Sequence, residues 1–206
     1  MLAMRLFSVT LLLLLLSVPA CFGQIIDKGE SVPNYHPITA GGRFNWFRTS
    51  SVGPVSLLLA GPISAGLGTA VDRPKEYGTH WDGFGKRYGM RLTGITTGNA
   101  MEASLGSLWG EDPRYFRSPD RQFGSRVKYI IKTTFLAPHR DGSWHPAYAR
   151  FAGNVGNNFL SNTWRADSES GAGDAAIRCL WGVTNRMAGQ AFAEFWPDVK
   201  KLIFKH

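Results

Sequence analysis

His80 and Asp82, followed much later by His139, Asp141 and His145, are the side chains whose types could act together. Imidazole nitrogens and carboxylate oxygens make up the usual ligand set for zinc, and also the acid–base set of a hydrolase. Their spacing matches no H-E-x-x-H or comparable ligand pattern, so no metal site is expected. Both groups fall in expected loops, where polar side chains occur for solvation alone. The carboxylate pairs Glu111/Asp112 and Glu194/Asp198 lie at expected helix ends, where acids serve as caps or face the helix dipole. Ser168, Ser170 and Gly171 do not build a G-x-S-x-G elbow. No glycine-rich phosphate loop follows a strand, and no cofactor is expected. Cys179, between Arg178 and Leu180, reads as a small buried side chain rather than a thiol nucleophile.

The elements that would position these residues begin after an N-terminal signal over residues 1–23. Met1–Arg5 carries one positive charge, Leu6–Val18 is an apolar run too short for a span, and Pro19–Gly23 supplies a breaker and small residues. Cleavage after Gly23 would leave Gln24 first. Alternatively Val18-Pro19-Ala20-Cys21 is a rough lipobox, and Cys21 would carry a lipid. The mature chain of 183 residues is one domain in size, with 22 Lys plus Arg against 15 Asp plus Glu once Arg5 is gone, a balance of +7. Export places it in the periplasm or outer envelope, possible membrane association included. There its charge would meet anionic lipid or an envelope polymer, and nucleic acid is excluded. With Cys21 removed or lipidated, Cys179 has no intrachain partner for a disulfide.

Residues 24–42 read as an extended lead-in and 43–206 as a single helical domain. Phe44, Trp46 and Phe47, flanked by Arg43 and Arg48, suit either a membrane interface or the opening of a core helix. Thr49–Val71 has no charged residue over 23 positions, long enough to cross a bilayer, yet it holds Pro54, Pro62 and four glycines. Two readings stay open: a membrane-inserted or re-entrant segment, or a buried core helix. Pro62 is expected to break or kink it. From Gly85, small residues recur every three or four positions (Gly85, Gly89, Thr93, Thr96, Ala100, Ala103, Ser107), and Gly85/Gly89 and Gly94/Gly98 are G-x-x-x-G pairs. Each interior glycine costs a helix about 1 kcal/mol relative to alanine, so these predict close helix packing, within the chain or between copies in a homo-oligomer.

Gly110 should end that helix, and Asp112-Pro113 should cap a short new one. Ser125–Ala137 reads as a basic amphipathic helix, His139–Pro146 as a loop, Ala147–Trp164 as a helix, and Asp174 to about Trp196 as the last long helix, interrupted by Pro197. No run alternates at period two over a useful length. The expected fold is all-α, a compact bundle of four to six helices packed through Gly/Ala/Ser-rich faces. Glu111, Asp112, Arg114 and Arg117 are the expected ion-pair motif, fixing helix register more than adding stability.

The strings Gly83–Gly89, Glu111-Asp112-Pro113-Arg114-Tyr115-Phe116-Arg117, Gly156-Asn157-Asn158 and Glu194-Phe195-Trp196-Pro197-Asp198 resemble a family of secreted bacterial proteins of unknown function, frequent in soil bacteria of the acidobacterial kind. The resemblance spans roughly residues 44–204. It implies an exported helical domain and brings no catalytic residue with it. Two functions are carried forward: a non-enzymatic cell-envelope protein at a membrane or an anionic envelope partner, and an envelope hydrolase acting on lipid or cell-wall polymer, which would need the His80/Asp82 and His139/Asp141/His145 loops to converge.

Overall fold

The computed structural model describes Val32 and residues 34–203, and all structural statements concern these. The signal segment, Cys21 and its two processing routes lie outside them. Five helical rods make an all-α bundle. The first runs from Ala40 to Ala70 and has three parts: α1 (Ala40–Val52), a π-helical stretch (Val55–Ala60) and α2 (Gly61–Ala70). Thr39 caps it, its Oγ1 accepting from Gly42 N at 3.0 Å. Pro62 does not break the rod. It sits in the first turn of α2, where its missing N–H costs least, and the π-helical stretch before it shifts the bonding register. The second rod is α3 (Trp81–Trp109), ended by Gly110 in the left-handed conformation that a glycine adopts freely (φ 85°). The others are α4 (Phe123–Phe135), α5 (Tyr148–Leu160) and α6 (Ala172–Ile203).

Helix α3 is the spine. α1 and α2 pack along it on one side and α5 on another, while α6 lies against α5 and α4. The four glycines of the two α3 pairs differ in their surroundings within the chain. A Cβ at Gly98 would meet the Asn157 amide of α5 at 3.3 Å, but at Gly85, Gly89 and Gly94 it would meet nothing within 4 Å. Between helices the tightest backbone approach at a glycine comes from α5. A Cβ at Gly153 of α5 would stand 3.1 Å from Glu102 N and 3.3 Å from Gly98 O. On α2, Gly61 gives way to the Tyr88 ring, whose hydroxyl donates to Leu57 O at 3.0 Å.

Three expectations about loops are corrected. Asp112-Pro113 starts no helix. Residues 111–117 form no regular element: the Asp112 carboxylate accepts from Arg114 N at 3.0 Å, a local Asx-turn, and from the Arg114 side chain, and no helix follows. His139–Pro146 is part of a hairpin, β1 (Leu136–Pro138) pairing antiparallel with β2 (Trp144–Pro146). Strands of three residues are too short to show period-two patterning. Pro197 does not interrupt α6, which continues to Ile203. The Ala193 carbonyl, which a proline N cannot reach with a proton, accepts from Arg117 Nη2 at 3.1 Å instead.

The lead-in is part of the packing. Val32, Leu136 and Trp144 form the apolar core cluster, with Tyr35, Phe116 and Tyr129 against it, and Val32 N donates to Gly142 O at 3.2 Å. This cluster is small. Elsewhere the buried apolar positions of the helices are chiefly alanines, such as Ala65, Ala149, Ala175 and Ala176.

The glycine geometry predicts two opposite outcomes in urea unfolding. Gly153→Ala should lower stability by about 1–3 kcal/mol, since its methyl meets backbone that cannot retreat. Gly89→Ala should raise stability by up to ~1 kcal/mol, since it meets open space and gains helix propensity.

Candidate functional site

The polar residues that define the interior come from different helices. Glu102, two turns before the C-terminal end of α3, is buried between two arginines. Its Oε1 accepts from Arg150 Nε of α5 at 3.3 Å, and its Oε2 accepts from Arg186 Nη2 of α6. Arg150 also donates to the carbonyls of Thr133 (2.7 Å), Thr134 (3.1 Å) and Leu136 (3.3 Å), which close the end of α4. Burial, followed by the nearby Arg186 charge, lowers the Arg150 pKa to about 10 even though Glu102 opposes the shift.

Directly after the Gly110 cap of α3, the buried Glu111 accepts from Ala149 N with both oxygens, at 3.0 and 2.9 Å. It therefore occupies the first turn of α5, where the dipole favours a negative charge. Burial nonetheless pushes its pKa up to about 7; the Ala149 amide and Arg150 oppose the shift, and Glu102 adds to it. The gap ringed by Glu102, Gly106, Glu111, Asp112, Ala149 and Arg150 has no room for a water.

A second network joins α4 and α6. Arg126 Nε donates to Glu194 Oε1 at 2.8 Å and Arg126 Nη1 to Asp198 Oδ2 at 2.5 Å. Tyr115 Oη and Ser118 N donate to Glu194 Oε2 at 2.8 and 3.1 Å. Burial would raise the Glu194 pKa, but these donors outweigh it and hold the carboxyl below its ordinary range. Gln190 Oε1, one turn back on α6, accepts from Thr133 and Thr134 at 3.1 and 3.0 Å.

The expected motif thus divides. Asp112 and Arg114 pair at 2.6 Å, with Asp112 fully buried and also bonded by Tyr35 Oη at 3.1 Å. Burial and then the Asp112 charge raise the Tyr35 pKa to about 12. Glu111 binds backbone, and Arg117 donates to the Ala193 and Glu194 carbonyls rather than to a carboxylate. Arg150, Arg186 and Arg126 escape a motif search because each acts through a partner far along the chain. The signal that finds them is periodic: Arg186, Gln190, Glu194 and Asp198 recur every four residues along one face of α6.

The two histidine loops stand apart. On the hairpin, His139 and His145 have ring centroids 4.4 Å apart, and Ser143 Oγ lies 2.5 Å from Asp141 Oδ1 and 2.9 Å from His145 Nε2. The serine hydroxyl donates to Asp141, so His145 Nε2 is the donor to Ser143 and does not draw off its proton. Arg140, on this hairpin, donates to Ser107 O at 3.1 Å near the C-terminal end of α3, whereas His80 and Asp82 flank its N-terminal end about 40 Å away along the helix. Among the described residues no three His, Cys, Asp or Glu side chains gather as a metal site. A cleft of about 110 Å³ beside the hairpin is lined by Tyr35, Arg43, Ser107 and Arg140. Its arginines are used on the carbonyls Glu111 O (2.8 Å) and Ser107 O, at the C-terminal end of α3.

The surface is the counterpart of this interior. Along the first rod Val52, Val55, Leu58, Leu59, Ile63, Leu67 and Val71 are exposed, Leu58 at 77%. The rod is long and apolar enough to cross a membrane, and only 22% of its most apolar stretch is buried. Along α6 the exposed side chains include Ile177, Trp181, Phe192, Trp196 and Val199. Cys179 is buried as expected, and burial pushes its thiol up to about 11. No protein-family model, curated protein or solved structure matches the chain.

The buried acids give two checks. Because Glu111 keeps its proton longer folded than unfolded, its contribution is complete below about 4.5 and lost as pH rises towards about 7. Glu111→Gln should therefore flatten urea-derived stability between pH 5 and 8, with a gain over wild type at pH 8 of at most ~3 kcal/mol. Arg114→Ala should lower the melting temperature, since it removes the charged partner of the fully buried Asp112.

Proposed function

We propose that this chain is a non-enzymatic cell-envelope protein seated in a membrane by the outer face of its Ala40–Ala70 rod. The observation that carries this reading is the inverted distribution of side chains: charged and amide groups are paired inside, and large aliphatic ones face out along an uncharged run. In water such a face is a liability, because a soluble monomer rarely exposes so long a contiguous apolar strip. In hydrocarbon it is the ordinary arrangement, and buried ionisable groups are paired toward the protein interior. The ends of the rod carry the groups expected at headgroup level: Phe44, Trp46, Phe47 and Arg48 at one, and Arg73, Lys75, Tyr77 and Trp81 at the other. The net charge of +8 for the whole chain suits an anionic leaflet. Exported location and the anionic lipid partner belong to the same proposal.

The test is vesicle flotation followed by a carbonate wash. Wild type is expected to stay with the lipid. Leu58→Glu should release it, since a charge placed in hydrocarbon costs about 2.5–3.5 kcal/mol, roughly a hundredfold in partition. Its melting temperature in detergent should stay near wild type, because Leu58 packs against little of the protein. Wild type that never floats would sink the membrane reading.

A further inference from the structure

The lead-in, α1, the end of α3 and the hairpin meet around the cleft of about 110 Å³, whose walls include Tyr35, Ile38, Ala40, Arg43, Ser107 and Arg140. Two guanidiniums from distant parts of the chain thus line one hollow. A third is close by. Arg114 Nη2 donates to His36 O at 2.8 Å, and the neighbours of His36 on either side, Tyr35 and Pro37, both line the cleft. Arg140 and Arg114 stand near enough for their like charges to act on Arg43.

The acids nearby do not balance these cations. Asp112 is fully buried and held by Arg114 and Tyr35. Glu111 turns its carboxyl to Ala149 N, and Asp141, next to Arg140, accepts from Ser143. The cleft is therefore left with an excess of positive charge, which raises the local concentration of anions.

The carbonyls at the end of α3 account for only part of each arginine. Arg43 Nη2 donates to Glu111 O at 2.8 Å, its Nη1 reaches Ala103 O at 3.5 Å, and Arg140 Nη2 donates to Ser107 O at 3.1 Å. A guanidinium has more N–H donors than these bonds use. Among the described residues, Nε of both arginines and Nη1 of Arg140 bond nothing. Capping a helix end needs no hollow beside the caps, yet here the space is several times the ~10–15 Å³ that one water needs.

We infer that this cleft binds a phosphate group between Arg43 and Arg140. Planar forks with free N–H edges match two oxygens of a phosphate at once, which gives both strength and orientation. The volume suits the phosphate alone and not a nucleotide, so the rest of the ligand stays outside. Its place in the fold names the nearest source. The cleft lies at the start of the Ala40–Ala70 rod, beside Phe44, Trp46 and Phe47, which stand at headgroup level in the membrane reading above; the choice of an anionic lipid headgroup rests on that reading. Free phosphate would use the same donors.

The experiment titrates the full chain, purified in mild detergent, with inorganic phosphate and with dihexanoylphosphatidylglycerol below its micelle concentration, by calorimetry. Both should bind saturably and compete for one site. Arg140→Gln should weaken each roughly tenfold or more, whereas Lys128→Gln, which removes an equal charge from an exposed position on α4, should change them by at most about twofold. Arg140→Lys keeps the charge and a donor for Ser107 O but loses the fork, so it should bind more weakly than wild type and more tightly than Arg140→Gln. Tighter binding of the lipid assigns the cleft to a headgroup; tighter binding of inorganic phosphate assigns the same site to a soluble phosphate. Absence of saturable binding, or equal losses in Arg140→Gln and Lys128→Gln, would overturn the site. Flotation on neutral phosphatidylcholine vesicles separates this inference from the membrane seat. Wild type that binds phosphate without floating ends the seat and leaves the cleft standing; wild type that floats without binding phosphate does the reverse.

Discussion

Everything in this fold depends on keeping Glu102 between Arg150 and Arg186. One carboxylate on the central helix holds a cation from each of two other helices, and removing that carboxylate leaves Arg150 buried without its ion-pair partner. Such an arrangement adds little net stability over a well-packed apolar core, but it tolerates almost no sliding of α3, α5 and α6 past one another. The Arg150 guanidinium extends that constraint to α4 by bonding its last carbonyls. Four rods are thus in register through a single side chain and its partner.

An interior built this way has little space for large apolar groups. The helices approach through alanine and glycine, as at Gly153 against Glu102, and the cluster of Val32, Leu136 and Trp144 sits at the hairpin and lead-in, with Phe116 and Tyr129 against it. The leucines, valines and tryptophans that a soluble bundle would enclose are instead on the outside of the first rod and of α6. Proline placement follows the same logic. Pro62 and Pro197 are tolerated within helices because a π-helical stretch in one case and the Arg117 guanidinium in the other deal with the displaced backbone groups.

These two outer faces differ in what they ask of a partner. The first rod presents branched aliphatic side chains with aromatic and basic ends, the profile suited to hydrocarbon between headgroups. The α6 face presents large aromatic side chains, Trp181, Phe192 and Trp196, between smaller ones. An enzyme reading gains nothing from the interior, whose acids are spent on amides and guanidiniums, nor from the histidines, which lie at opposite ends of α3.

The sequence by itself determined the all-helical class, the end of α3 at Gly110, the burial of Cys179 and the uncharged run after Arg48. Each of these rests on local composition or on a 3.6-residue period, which a single chain segment displays. Only the tertiary structure decided that Gly153 rather than Gly85 or Gly89 marks the closest approach, that Arg114 pairs with Asp112 while Arg117 serves α6, and that Asp112 caps no helix. It alone placed Arg150, Arg186 and Arg126 on acids 48, 84 and 68 positions away. A period shows which residues share a face. It does not show which face meets another helix, because that depends on where distant charges must pair once water is excluded.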